Sequence, residues 1–244
     1  VASAALSNNP GAAAPTQSAA AEPAGGAVPK RTTRIGINLA GLASYSSERA
    51  FANLIAPSRV MNSVEGKAGW TDSSPDLIGP DGWPKGTPPG ITFHLPMGML
   101  DQDWQEEPIV CTWRGSGKIS PGILKLVKTS ANSMELTWPD WQKGAGWLSI
   151  ERSDPTDPIR DIDCRERSIP RDAVFTPQFL AFVKPFAATR FMDWQRSNEN
   201  LAGNWDLRTR PAGIQTGPEG VAIENMIALA NATGTNPWFV MPYN

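Results

Sequence analysis

What this chain has little of narrows its chemistry. It carries two cysteines, one histidine and two tyrosines in 244 residues, and a formal net charge of −2 from 22 basic and 24 acidic side chains. So even a balance of charge gives no electrostatic reason to expect a nucleic-acid partner. One histidine and two distant cysteines make a poor zinc ligand set, and no metal or cofactor is expected. No apolar run reaches the length of a membrane-spanning helix. Cys111 and Cys164 lie on separate strand-like stretches, and two cysteines leave both a disulfide and two buried thiols open. His94, between Phe93 and Leu95 in an alternating run, reads as a structural residue with satisfied ring nitrogens.

Several familiar motifs are missing too. "WRGSGKIS" (113–120) has the look of a phosphate loop. However, Thr112 stands where the first glycine of such a loop belongs and Ile119 follows Lys118, so a tight hairpin turn is expected instead. No nucleophile elbow appears, and His94 is embedded in a β-rich stretch, which argues against a Ser-His-Asp triad. The acidic runs "DQDWQEE" (101–107) and "RSDPTDPIRDID" (152–163) lack the spacing of an EF-hand and read as solvated turns.

What is abundant is equally specific: ten Trp, 23 Pro and 22 Gly. Tryptophan offers a flat apolar face with a hydrogen-bonding edge, suited both to a core and to stacking on a sugar ring. Residues 1–30 are rich in Ala, Pro, Gly and Ser without a periodic apolar face, which predicts a disordered tail. Residues 31–60 read as a strand followed by a helix, with Ser47 as N-cap and Phe51, Leu54 and Ile55 on one face. Residues 61–172 break into short alternating runs punctuated by Gly, Pro and Asp, the pattern of an antiparallel sandwich inserted into the surrounding chain. Within it "ILKLVKTSANSMELTW" predicts a hairpin about residues 131–133. Residues 173–244 then read as helix, strand, helix, strand. Thr176 and Pro177 open the first helix, Thr216 and Glu219 offer a capping box for the second, and Gly234 ends it.

Strands alternating with helices predict an α/β class, with parallel strands whose carboxyl ends carry the ligand site. The polar residues cluster there. "RFMDWQRSNENLAGNW" (190–205) crowds arginines, asparagines, carboxylates and tryptophans after a strand. Directional donors and acceptors beside an aromatic face are what a hydroxyl-rich ligand needs. The competing reading is an ion pair of Arg190 with Asp193 and tryptophans that merely pack the loop. On the first reading the candidate carbohydrate-binding residues are Asn38, Arg190, Asp193, Trp194, Asn198, Tyr243 and Asn244.

"RIGINLAGLASYSSERAFANLI", "RFMDWQRSN" and "GVAIENMIALANATGTNPWFVMPYN" together resemble the start of bacterial secreted glycoside hydrolase-like or cellulose-binding proteins with a (β/α)8 barrel. The resemblance spans about residues 34–244. It implies a partial barrel, with residues 35–38, 189–194 and 238–244 as its first three strands. In such hydrolases the catalytic carboxylates come from the fourth and seventh strands. The implied protein is therefore the N-terminal portion of a polysaccharide-binding or polysaccharide-degrading protein, secreted or at the cell surface, inactive by itself. The alternative is a non-catalytic carbohydrate-binding protein that uses the β-rich region and its Trp113, Trp138, Trp141 and Trp147.

Overall fold

The structure, a computed structural model, describes residues 35–98, 107–139, 145–202 and 204–240. In chain order the strands are β1 (Gly36–Asn38), β2 (Met61–Val64), β3 (Thr71–Asp72), β4 (Ile91–Gly98), β5 (Ile109–Arg114), β6 (Gly117–Ser120), β7 (Lys125–Ser130), β8 (Ser133–Thr137), β9 (Ala145–Ser153) and β10 (Arg160–Glu166). Helix α1 (Pro177–Val183), β11 (Ala188–Arg190), α2 (Ile223–Thr233) and β12 (Asn236–Trp238) complete the order, with short 3-10 turns at Pro75–Leu77 and Trp205–Leu207.

Nine of these strands form two antiparallel sheets, ordered β10-β5-β8-β7 and β3-β2-β4-β9-β6. Alternation explains why they pack face to face. Phe93, Leu95 and Met97 of β4 and Leu148 and Ile150 of β9 project from one sheet into a single core. Ile109, Cys111, Met134, Leu136, Ile162 and Cys164 project from the other. Each such side chain, fully withdrawn from water, contributes about 1.5–3 kcal/mol. Residues 131 and 132 make the two-residue turn of the β7–β8 hairpin, with Ser130 opposite Ser133. Cys111 and Cys164 are cross-strand partners in the β5–β10 pair and are joined as a disulfide.

The expected α/β class is overturned. Among the described residues sheet predominates over helix, 34% strand against 13% helix, and most of that sheet is antiparallel. Three strands, β1, β11 and β12, do run parallel, but each is three residues long, and only two α-helices occur among the described residues. A partial (β/α)8 barrel is therefore not the architecture. The missing element is the helix expected after β1. Residues 50–56 instead give their backbone N–H groups to neighbouring segments: Ala52 donates to Val174 O (2.9 Å) and Leu54 to Cys164 O (2.7 Å), while Phe51 bridges Phe175. Spacing placed Phe51, Leu54 and Ile55 on a helical face; the cores they join sit on different sides of the segment.

The later helices form, with changed ends. Thr176 Oγ1 accepts from Phe179 N (3.2 Å) and Pro177 occupies the first turn, so α1 starts as its cap residues dictate. For α2 the capping box fails: Ala222 holds the cap position without a side-chain bond, and Thr216 Oγ1 donates to Ser58 O instead. Its buried face is Asn225, Met226, Leu229, Ala230 and Thr233, leaving Ile227 exposed. Gly234 ends it at φ 64, a left-handed conformation that costs glycine nothing. Both helices cover one face of the parallel sheet through Phe179, Val183, Met226 and Leu229 against Leu39 and Phe191.

His94 lies on the outer face of the five-stranded sheet. Its ring nitrogens meet Ser63 Oγ and Ser149 Oγ, each at 2.9 Å, and Trp70 stacks on it at 4.0 Å. Burial pushes its pKa below 6.5. A pKa lower folded than unfolded means that the unfolded chain takes up the proton first. This contribution to stability is complete above about pH 6.5 and is lost as pH falls through the folded value. Urea midpoints should therefore drop between pH 7.5 and 5, and His94→Gln should flatten that part of the profile.

Asn53 joins the sandwich to the rest of the chain. Its Oδ1 accepts from Ile55 N (3.0 Å) and Cys164 N (2.9 Å), and its Nδ2 donates to Ile162 O (2.9 Å). Asn53→Ala strips partners from three backbone groups and should lower unfolding free energy by about 2–4 kcal/mol in urea titrations. Reducing the disulfide, which closes a separation of 53 residues, should cost about 4 kcal/mol on the same measure.

Candidate functional site

The register of the parallel sheet creates a cross-strand row. Asn38 pairs with Arg190 and Arg190 with Trp238, so these three side chains stand abreast at the carboxyl ends of β1, β11 and β12. Alternation turns Leu39, Thr189 and Phe191 into the helix-covered side, where all three are buried, and leaves the row on the opposite, open face. Trp238 is 59% exposed, and the Arg190 guanidinium lies over its ring at 5.1 Å from the centroid. Arg190 Nε is buried and makes no hydrogen bond among the described residues. Asn38 Nδ2 donates to Asp193 Oδ2 at 2.8 Å, which ties the turn after β11 to the row.

Behind Asp193 opens a cleft of about 250 Å³, walled by Gly41, Met192, Asp193, Arg196, Asn198 and Glu199 among others. Residues 192–199 are a run of turns held by main-chain bonds such as Gln195 N to Phe191 O (2.8 Å) and Ser197 N to Met192 O (3.1 Å). Arg196 sits at φ 49, a conformation unfavourable for a long side chain, and its guanidinium meets Glu199 at 3.2 Å. Gly220 closes the wall from the other side: a Cβ there would lie 2.5 Å from Trp194 O, and Val221 N donates to the same oxygen.

The structure divides the polar residues of 190–205 by task. Gln195 exchanges both amide bonds with the backbone of Val240, at 2.9 and 2.8 Å. Asn200 bridges Gln195 O and Glu219 O, and Asn204 caps the following 3-10 turn. These are structural. Arg190, Asp193, Arg196, Asn198 and Glu199 are what remain to meet a ligand, and Asn198 is exposed with no side-chain bond among the described residues.

Of the residues named from sequence, Asn38, Arg190 and Asp193 come together, and Asn198 lies on the adjoining cleft. Trp194 does not serve as a stacking face. It is 2% exposed and packed among Phe51, Phe179 and Phe191, with ring centroids at 5.7–6.0 Å, so its indole is core. The competing reading of an Arg190–Asp193 ion pair is not what forms: Asp193 accepts from Asn38, and Arg190 lies over Trp238. Tyr243 and Asn244 lie outside the described residues. Sequence reasoning missed Trp238 because "NPWFVMPYN" looks like a wholly buried strand. The only available signal was Pro237, which removes a donor and marks an edge strand.

The β-rich region's tryptophans separate similarly. Trp113 and Trp138 pack against the sandwich core, Trp141 lies outside the described residues, and Trp147 stands edge-on to Trp70 at 5.0 Å. In the acidic turn, Asp154 accepts from Thr156 and Asp157 from Ser116 and Arg160. These bonds hold both carboxyl groups below the usual carboxylate range.

The row and the adjoining cleft provide a flat aromatic face, a guanidinium, a carboxylate and the free amide of Asn198. In comparisons with known proteins, no family model, no curated protein and no solved structure matches this chain.

Proposed function

We propose that the chain binds carbohydrate, an oligosaccharide or polysaccharide, on the open face of the parallel sheet. The observation that carries this reading is the row Asn38–Arg190–Trp238 with Asp193 hydrogen-bonded to its end. A pyranose ring presents C–H groups on its faces and hydroxyls around its edge. The exposed indole of Trp238 takes the face, while Arg190, Asp193 and Asn198 supply charged or amide partners to the hydroxyls. Arg190, held over the indole, loses little freedom on binding. The bonded Cys111–Cys164 pair supports a place outside the reducing cytosol, secreted or at the cell surface.

A second surface is favoured by its own observation. Trp70, 37% exposed, stacks on His94 and makes a T-shaped contact with Trp147, on the outer side of the sandwich. Its exposed part offers an aromatic contact to a sugar ring, in keeping with recognition through the β-rich region.

Glycan-array screening followed by calorimetry on the best hit tests both. Trp238→Ala and Arg190→Ala should each weaken binding about tenfold or more, whereas Trp205→Ala, at an exposed tryptophan of the 3-10 turn outside the parallel sheet, should leave it unchanged. Should Trp70→Ala alone abolish binding, the site belongs to the sandwich. Full retention of affinity in all three of Trp238→Ala, Arg190→Ala and Trp70→Ala rejects both surfaces.

A further inference from the structure

A second concavity lies beside the polar cleft and has the opposite character. It is about 360 Å³, formed where residues 73–82 of the sandwich meet residues 201–219. Pro75, Ile78, Leu201, Leu207, Ile214 and Pro218 give it apolar walls drawn from both segments. Leu201 and Leu207 remain 69% and 53% exposed, aliphatic side chains turned to water around a hollow rather than sunk into the neighbouring core.

The walls are tied in place. Leu201 N donates to Pro218 O (3.2 Å), Thr209 Oγ1 to Gly220 O (2.5 Å) and Gly79 N to Trp83 O (2.7 Å). The two segments touch so closely at Gly213 that a Cβ there would stand 2.8 Å from Asp81 O. Such a hollow keeps its volume without a ligand, and its size falls in the range of small-molecule sites.

Its polar groups indicate what it takes. Ser73 is one of the residues lining the hollow, and its Oγ is buried with no hydrogen-bond partner among the described residues. A buried hydroxyl left unmatched costs stability that a ligand's own polar group recovers. Charges at the rim balance, with Arg59 and Arg210 set against Asp81 and Glu219, so the hollow selects neither anion nor cation.

We propose that this hollow is a binding site for a small, neutral, largely apolar ring compound carrying one hydroxyl or carbonyl, with Ser73 Oγ as its hydrogen-bond partner. The site is separate from the carbohydrate surface and does not depend on it. 2-Naphthol, with naphthalene as the analogue lacking the hydroxyl, serves as probe in fluorescence and ligand-observed NMR titrations of the full chain. Saturable one-to-one binding of 2-naphthol is expected. Leu207→Asp, at an exposed position that leaves folding intact by near-UV circular dichroism, should abolish it. Ser73→Ala should weaken 2-naphthol about fivefold and leave naphthalene unchanged. Absence of saturable binding, or binding indifferent to Leu207→Asp, overturns the site. An equal effect of Ser73→Ala on both probes overturns the role of the hydroxyl.

Discussion

The contacts of residues 50–58 are the constraint on which the remaining architecture depends. This segment is neither helix nor regular strand, yet it satisfies its backbone on both sides. Asn53 and Leu54 bond to β10 of the sandwich, Ala52 to Val174, and Ala56 O accepts from Gln215 N at 2.7 Å. Leu54 and Ile55 enter the sandwich core, while Phe51 and Ala56 enter the aromatic core under the parallel sheet. One stretch thereby joins two hydrophobic cores. The Arg49–Glu166 pair at its start, both side chains nearly buried, reinforces the join at 2.8 Å. Removing one partner of such a pair strands the other charge, a cost of about 3–5 kcal/mol.

That seam decides where the candidate site falls. Phe51 stacks near Trp194 and Phe175, so the seam sets the depth at which the turn after β11 is anchored. With Trp194 fixed as a peg in the core, Asp193 before it and Arg196 after it are held toward solvent. Gln215 anchors the facing wall: its amide donates to Arg210 O and Gly213 O and accepts from Ala222 N and Asn225 Nδ2. The buried tryptophan and the buried glutamine thus position a surface on which neither is free to meet a ligand. In the proposed carbohydrate site, recognition would fall to Trp238, Arg190 and Asn38, which the strand register brings abreast.

Much was legible in local patterns because local physics governs those elements. Alternation in "SMELTW" and "GWLSIE" gave strands, the Thr176–Pro177 pair gave a helix start, and Gly234 gave a helix end, each set within a few residues of chain. The helix expected over residues 47–57 failed since its apolar spacing served two cores on different sides, a distinction that spacing cannot carry. The capping box at Thr216 failed for a related reason: its hydroxyl found Ser58 O, more than 150 positions away in sequence.

By itself the sequence determined where polar and aromatic groups concentrate, which segments alternate, and that Asn38 and Arg190 stand at strand ends with Asp193 just beyond. It left the pairing of its two cysteines open, and it put Trp194 rather than Trp238 among the candidate binding residues. Only the tertiary structure decided that Trp194 is core and Trp238 surface, that Asn38 rather than Arg190 holds Asp193, and that Cys111 faces Cys164. The physical reason is that composition and periodicity describe a residue's own segment. Burial and partnership are set by strand register and by the chain that packs from a distance.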